Sequence, residues 1–221
     1  MKAAPLEARA AYALWADTYP AVAHNPLMRI EQSVVEPILA HLRGARALDV
    51  GTGSGRYLPL LRATGAVMIA GVDFSIAMLG RAARGATVCG DACLLPFRRS
   101  AFDIVNASLM VGDVDDLDTW THEMARVLVP GGHLVYSDFH PSWAQHGWSR
   151  TFRTAAGAIH DVAFHAHSID GHLTALERAG LRVRTIREPR FSDDGDAAVQ
   201  AFRRQWGNPP VVVVFHAVKE P

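Results

Sequence analysis

The chain has 221 residues, 49% hydrophobic and 20% charged, enough for one sizeable domain with an appendage. Its 22 basic residues balance 22 acidic ones, so no global basic footprint points to nucleic acid or an anionic membrane. Two cysteines, Cys89 and Cys93, exclude a disulfide framework and lack zinc or redox spacing.

Helices are expected over 8–18 and 28–43. The second places Ile30, Val34, Val35, Ile38 and Leu42 on one face, with Pro37 set to bend or split it and Gly44 to end it. Short apolar runs at 45–50, 67–72, 87–89, 104–108 and 133–137 read as strands, and 56–63, 76–83 and 117–129 read as the helices between them. Pro130-Gly131-Gly132 interrupts the pattern before the fifth strand. Residues 140–168 are irregular and read as an insert over the sheet edge. A helix over 169–179, stopped by Gly180, precedes a closing antiparallel pair at 181–186 and 211–218, with SDDGDAA as an exposed tip between them. Alternating strands and helices predict βαβ units with right-handed crossovers. The expected fold is α/β and Rossmann-like: a mostly parallel seven-stranded sheet, helices on both faces, an antiparallel last strand and a helical N-terminal lid. The expected division is 1–44 for the lid and 45–221 for the main domain, the insert lying at about 140–168. No apolar run is long enough to cross a bilayer, and no signal core follows the N-terminus, so a cytoplasmic protein is expected.

The segment ALDVGTGSGRYLPLL at 47–61 carries the most chemistry. A buried strand runs into Gly51-x-Gly53-x-Gly55, where the backbone can turn sharply and let a ligand approach its N–H groups. Asp73 ends the second strand, twenty-two residues after Gly51, where a carboxylate can accept from both hydroxyls of a ribose. A helix cap is the alternative role for Asp73, and Ser75 could share it.

LDVGTGSG, GVDFSIAML, GDACLLPF, FDIVNASL and EMARVLVPGGHLVYSDF, in that order over roughly 45–140, resemble the motifs of class I S-adenosylmethionine-dependent methyltransferases. More narrowly, they resemble the small-molecule branch that includes ubiquinone-pathway and malonyl-carrier-protein enzymes. The resemblance implies S-adenosylmethionine as methyl donor and S-adenosylhomocysteine as product. It implies that Asp49 orients the amino group of the methionine part, which Gly51, Thr52 and Gly53 approach with their backbone. Asp73 then binds the ribose and Phe74 lies against the adenine, while Asp91 and the Ala92 N–H meet the adenine edge. Asn106 and Ala107 lie near the sulfonium. An ordinary turn aspartate is the alternative for Asp91. Thr52 stands where the family commonly has cysteine.

Methyl transfer from a sulfonium needs alignment more than activation, so the catalytic groups are the least legible. Candidate bases are His140, just past the fifth strand, and His24, with Tyr19 matching the usual lid tyrosine of the family. Tyr12, Trp15, Asn25, Met28, Trp143 and Trp148 are the candidate acceptor contacts. His165-x-His167 has no further ligand nearby, so no metal is expected. Asn208-Pro209-Pro210-Val211 resembles the tetrapeptide of amino-methylating DNA enzymes but stands outside the fourth strand's end, and reads as a turn into the last strand. The expected acceptor is a small molecule. The alternatives are a carrier-bound acid met by Arg98, Arg99, Arg150 and Arg153, and a non-catalytic binder of the cofactor or its product.

Overall fold

The computed structural model describes residues 4–82, 86–192 and 195–221. It opens with α1 (Ala8–Trp15), a 3-10 turn at Ala16–Thr18, and α2 (Pro26–His41). Strands and helices then alternate: β1 (Arg46–Val50), α3 (Leu58–Ala63), β2 (Met68–Asp73), α4 (Ile76–Leu79), β3 (Ala86–Cys89), β4 (Phe102–Ser108), α5 (Leu117–Val127) and β5 (Leu128–Phe139). After α6 (Ser142–His146) come β6 (Arg150–Arg153) and β7 (Ile159–Val162), then α7 (Ile169–Arg178), β8 (Leu181–Arg187), α8 (Ala197–Trp206) and β9 (Val212–Lys219).

Seven strands make one sheet in the order β3-β2-β1-β4-β5-β9-β8, parallel except for β9, which is antiparallel to both neighbours. Strand alternation divides the core in two. Ala47, Ile104, Val135, Val212 and Val214 face α2 and α3 on one side. Leu48, Val105, Leu134, Tyr136, Val213 and Phe215 meet α5 and α7 on the other, around the fully buried Trp120 and Met124. The sheet, its layers and its antiparallel last strand are those expected from the sequence.

Several elements differ. Pro37 neither splits nor ends α2, which runs through it to His41. Ser33 and Pro37 are both exposed, so the carbonyl that loses its partner faces water. The helix stops at Leu42, in extended conformation, rather than at Gly44. Its start lies earlier than expected, because Asn25 Oδ1 accepts the Met28 N–H and Pro26 occupies the first turn. The fifth strand begins at Leu128 and absorbs Pro130-Gly131-Gly132 as a break in register: Phe102 pairs with Leu128, whereas Ile104 pairs with His133. The expected helix over 76–83 ends at Leu79, and its last predicted residue falls outside the described ones. The SDDGDAA tip lies partly outside them too, and its end opens α8, a helix the sequence reading omitted, capped by Asp196.

The insert has regular structure. β6 and β7 pair as an antiparallel hairpin. Leu6 bridges to Val162, and Leu6, Ala11, Trp15, Phe152 and Val162 form a separate small core. The N-terminal segment and the hairpin are thus bound to each other by apolar burial.

Candidate active site

The site lies beyond the carboxyl ends of β1, β2 and β4, where ligands collect in open α/β sheets. Gly51 and Gly53 have φ of +67° and +53°, and a Cβ on Gly51 would stand 2.7 Å from Met110 Cβ, so the turn demands glycine. Thr52 N–H still donates to Val72 O at 3.0 Å, which ties the turn to the second strand.

Two buried carboxylates hold this turn. Asp49 Oδ2 accepts from Thr52 Oγ1 and its Oδ1 from Asn106 Nδ2, both at 2.8 Å. Burial pushes its carboxyl up to about 6 against those two hydrogen bonds. Asp73 Oδ2 accepts the Gly53 N–H and its Oδ1 the Ser75 N–H, both at 2.8 Å. Burial raises Asp73 as well, and the two backbone N–H groups oppose that shift. A carboxylate offers about four lone-pair positions, so half of those on Asp73 stay open to a diol.

A cleft follows, lined by Gly51, Gly53, Asp73, Phe74, Ala92 and Met78 among others. Asp49, Thr52, Asn106 and Ala107 lie outside its lining; they are buried behind the turn, and Ser108, Leu109 and Met110 form the wall at the end of β4. Asp91 is exposed and also outside the lining: its Oδ1 accepts the Cys93 N–H at 2.8 Å, the turn role weighed as its alternative. Its neighbours Gly90 and Ala92 do line the cleft.

Beside the cleft lies a chamber of about 830 Å³. Tyr12, Tyr19 and Leu109 line both spaces. Leu109 has φ of +55°, costly for a branched residue, and its N–H is held by Ser137 O and Ser137 Oγ. Trp15, His24, Asn25, Met28, Trp143 and Trp148 line the chamber. The sequence reading missed the aromatic wall that α8 and its approach add, Phe191, Phe202 and Trp206.

His140 is placed differently. Its Nδ1 lies 2.9 Å from Ser142 Oγ and its Nε2 2.9 Å from Glu188 Oε2, and it lines neither space. Both ring nitrogens are occupied away from the junction, which counts against it as the base. His24 lines the chamber, edge-on to Tyr19. His165 pairs with Asp115 at 3.2 Å and His167 Nε2 lies 2.8 Å from Val114 O. Among the described residues no three His, Cys, Asp or Glu side chains gather as a metal site. No helix among them is long and apolar enough to cross a membrane.

Two networks without a sequence motif brace the junction. Arg150 from β6 pairs with Asp113, donates to Ala163 O at 3.0 Å and reaches Tyr12 Oη at 3.3 Å. Glu31 of α2, fully buried, accepts from Arg56 at 3.0 Å, Tyr57 Oη at 2.7 Å and Ser137 Oγ at 2.8 Å. Asp113 and Arg56 both line the cleft.

A glycine turn and an acidic strand end facing one cleft, on this strand order, define a class I methyltransferase architecture. Residues 48–136 match the sequence profile of the methyltransferase domain family Methyltransf_11. A demethylmenaquinone methyltransferase of Mycolicibacterium paratuberculosis is 41% identical over 98 residues, 43% of this chain and 42% of that protein. A malonyl-acyl-carrier-protein O-methyltransferase of Halorhodospira halophila is 33% identical over 129 residues, 51% of this chain and 43% of that protein. The matched region thus spans less than half the length of these curated relatives. The crystal structure of an S-adenosylmethionine-dependent methyltransferase from Mesorhizobium loti superposes with a TM-score of 0.70 at 22% identity, covering 86% of this chain and 98% of that one, a likeness of fold. Over residues 48–136 the chain is similar to a methyltransferase domain, and its fold is that of S-adenosylmethionine-dependent methyltransferases.

Proposed function

We propose that the protein transfers a methyl group from S-adenosylmethionine to a small-molecule acceptor held in the aromatic chamber. The observation that carries this reading is the adjacency of the two spaces: the cleft under Gly53 and Asp73 and the chamber share Tyr12, Tyr19 and Leu109 as wall residues.

The residues present fit the donor. Asp73 keeps open lone pairs for ribose hydroxyls, Phe74 and Ala92 flank the adenine position, and Gly51 and Gly53 let the backbone close on the methionine part. Asp49 carries its charge above pH of about 6, behind the turn, where it favours a cationic amino group. When bound, the donor supplies a methyl already activated on sulfur. The chain's own work is then to align the acceptor through the shared wall and exclude water with the lid and hairpin.

A carrier-bound acid is a second reading, favoured by Arg150 and Arg153 on the chamber wall. Arg98 and Arg99 do not support it. They precede β4, whereas the site follows that strand's far end, a distance of about 20 Å. A cytoplasmic setting accords with the free thiols of Cys89 and Cys93. Calorimetry with S-adenosylhomocysteine tests the donor site, and labelled S-adenosylmethionine offered with metabolite extracts tests turnover. Product binding without label transfer to any acceptor would favour a non-catalytic binder.

A further inference from the structure

The chamber is unusually one-sided in its chemistry. Four of the chain's five tryptophans, Trp15, Trp143, Trp148 and Trp206, line it. Among the described residues its wall carries Arg150, paired with Asp113 of the adjoining cleft, and Arg153, and no carboxylate of its own. An ammonium acceptor would find aromatic faces there but no counter-charge, and a neutral alcohol would find no carboxylate to take its proton.

At the boundary of the two spaces, where acceptor and methyl must meet, the shared polar residues are Tyr12 and Tyr19. Burial raises both phenols above their ordinary range: Arg150 opposes the shift at both and Arg56 at Tyr19, while Asp113 reinforces it at both, Asp73 at Tyr12 and Glu31 at Tyr19. They therefore stay protonated and act as donors, not bases. Tyr12 Oη already accepts from Arg150 Nη1, which leaves its own proton to give.

We propose that the methyl acceptor is an ionised oxygen, a phenolate, enolate or carboxylate on a flat apolar body, received by the hydroxyls of Tyr12 and Tyr19 with Arg150 behind them. This rests on the methyl-transfer reading and narrows its substrate. The acceptor O–H gives its proton to solvent on binding. Its oxygen then forms the O–C bond as the C–S bond breaks, and that electron pair leaves with sulfur as the neutral thioether. The acidity of the acceptor replaces an enzymic base; His24, the remaining imidazole on the wall, is not required.

A nitronaphthol whose ionised form absorbs in the visible tests this without turnover. Titrated with the protein across a pH series, the bound probe should ionise about one pH unit below the free probe. Tyr12→Phe and Tyr19→Phe keep the rings, and each should move that midpoint back toward the free value and weaken binding about tenfold. Naphthylmethylamine, cationic at neutral pH, should bind at least about tenfold more weakly than the ionised naphthol. A bound probe that ionises at or above its free midpoint would overturn the proposal, as would phenylalanine variants without effect or an amine that binds equally well. Calorimetry with S-adenosylhomocysteine on the same sample separates the two levels. If it binds while the probe stays neutral, the acceptor assignment alone fails; if it does not bind, the methyl-transfer reading fails.

Discussion

Asp49→Asn should make the protein more stable relative to wild type as pH rises, and weaken its grip on the cofactor. Asp49 is 2% exposed and its carboxyl is pushed from 3.8 up to about 6, burial outweighing the Asn106 and Thr52 hydrogen bonds. The folded state therefore keeps a proton that the unfolded chain releases at lower pH. Wild-type stability from this group is fully present below 3.8 and is lost as pH rises through about 6. A shift of about two units corresponds to about 3 kcal/mol across that window. The asparagine has no charge to bury and can keep the Asn106 bond through its Oδ1, so the difference between variant and wild type should move by about 2–3 kcal/mol in favour of the variant between pH 4 and pH 7.5. Urea denaturation of both proteins at half-unit pH steps measures it. A difference that stays flat with pH would show that Asp49 titrates normally and refute the reasoning. At neutral pH the same substitution should weaken S-adenosylhomocysteine binding, because the charge behind the glycine turn is gone.

Asp73→Ala should lower S-adenosylhomocysteine affinity about 100-fold, two charge-assisted hydrogen bonds being lost together; unchanged calorimetric affinity would contradict the ribose role. His140→Ala should leave turnover within about twofold, since a lost general base costs at least about 100-fold and this imidazole lines neither space. Gly51→Ala should destabilise the fold by about 2–4 kcal/mol in thermal or chemical melts, because its φ of +67° is strained for alanine and the new methyl meets Met110.

The parallel core was legible because its signals are local and periodic. The apolar run 104–108, whose first four residues are buried, reads as a strand, and Gly180 marks a helix end whatever packs around it. Elements whose stability comes from distant partners were not. α8 is polar over much of its length and buries only Val199 fully; its Phe202 packs on Trp148, and its cap Asp196 pairs with Arg29 at 2.7 Å. The hairpin of β6 and β7 is too short to announce itself and is fixed by Leu6 and Trp15 from the other end of the chain. Pro37 misled for the converse reason: the cost of a proline in a helix depends on whether the stranded carbonyl can reach water, which no local pattern reports.

The same distinction runs through the site. Gly51, Gly53 and Asp73 sit in a motif because a strand, a tight turn and a second strand end must recur at fixed spacing to present one cleft. Asp113, Arg150 and Glu31 have no such spacing, yet each bridges segments far apart in sequence: Arg150 to Asp113 and Tyr12, Glu31 to Arg56 and Ser137. Glu31 and Arg150 leave the lid and the hairpin with buried charges that are satisfied only when both segments are seated on the strand ends, since a buried charge without its partner is costly. The docked arrangement therefore fixes the walls that the two spaces share, Tyr12, Tyr19 and Leu109, and under the proposed function acceptor selectivity would lie in segments the motifs do not cover. A shared domain over 48–136 accordingly does not fix the acceptor, because most of the chamber wall lies outside it.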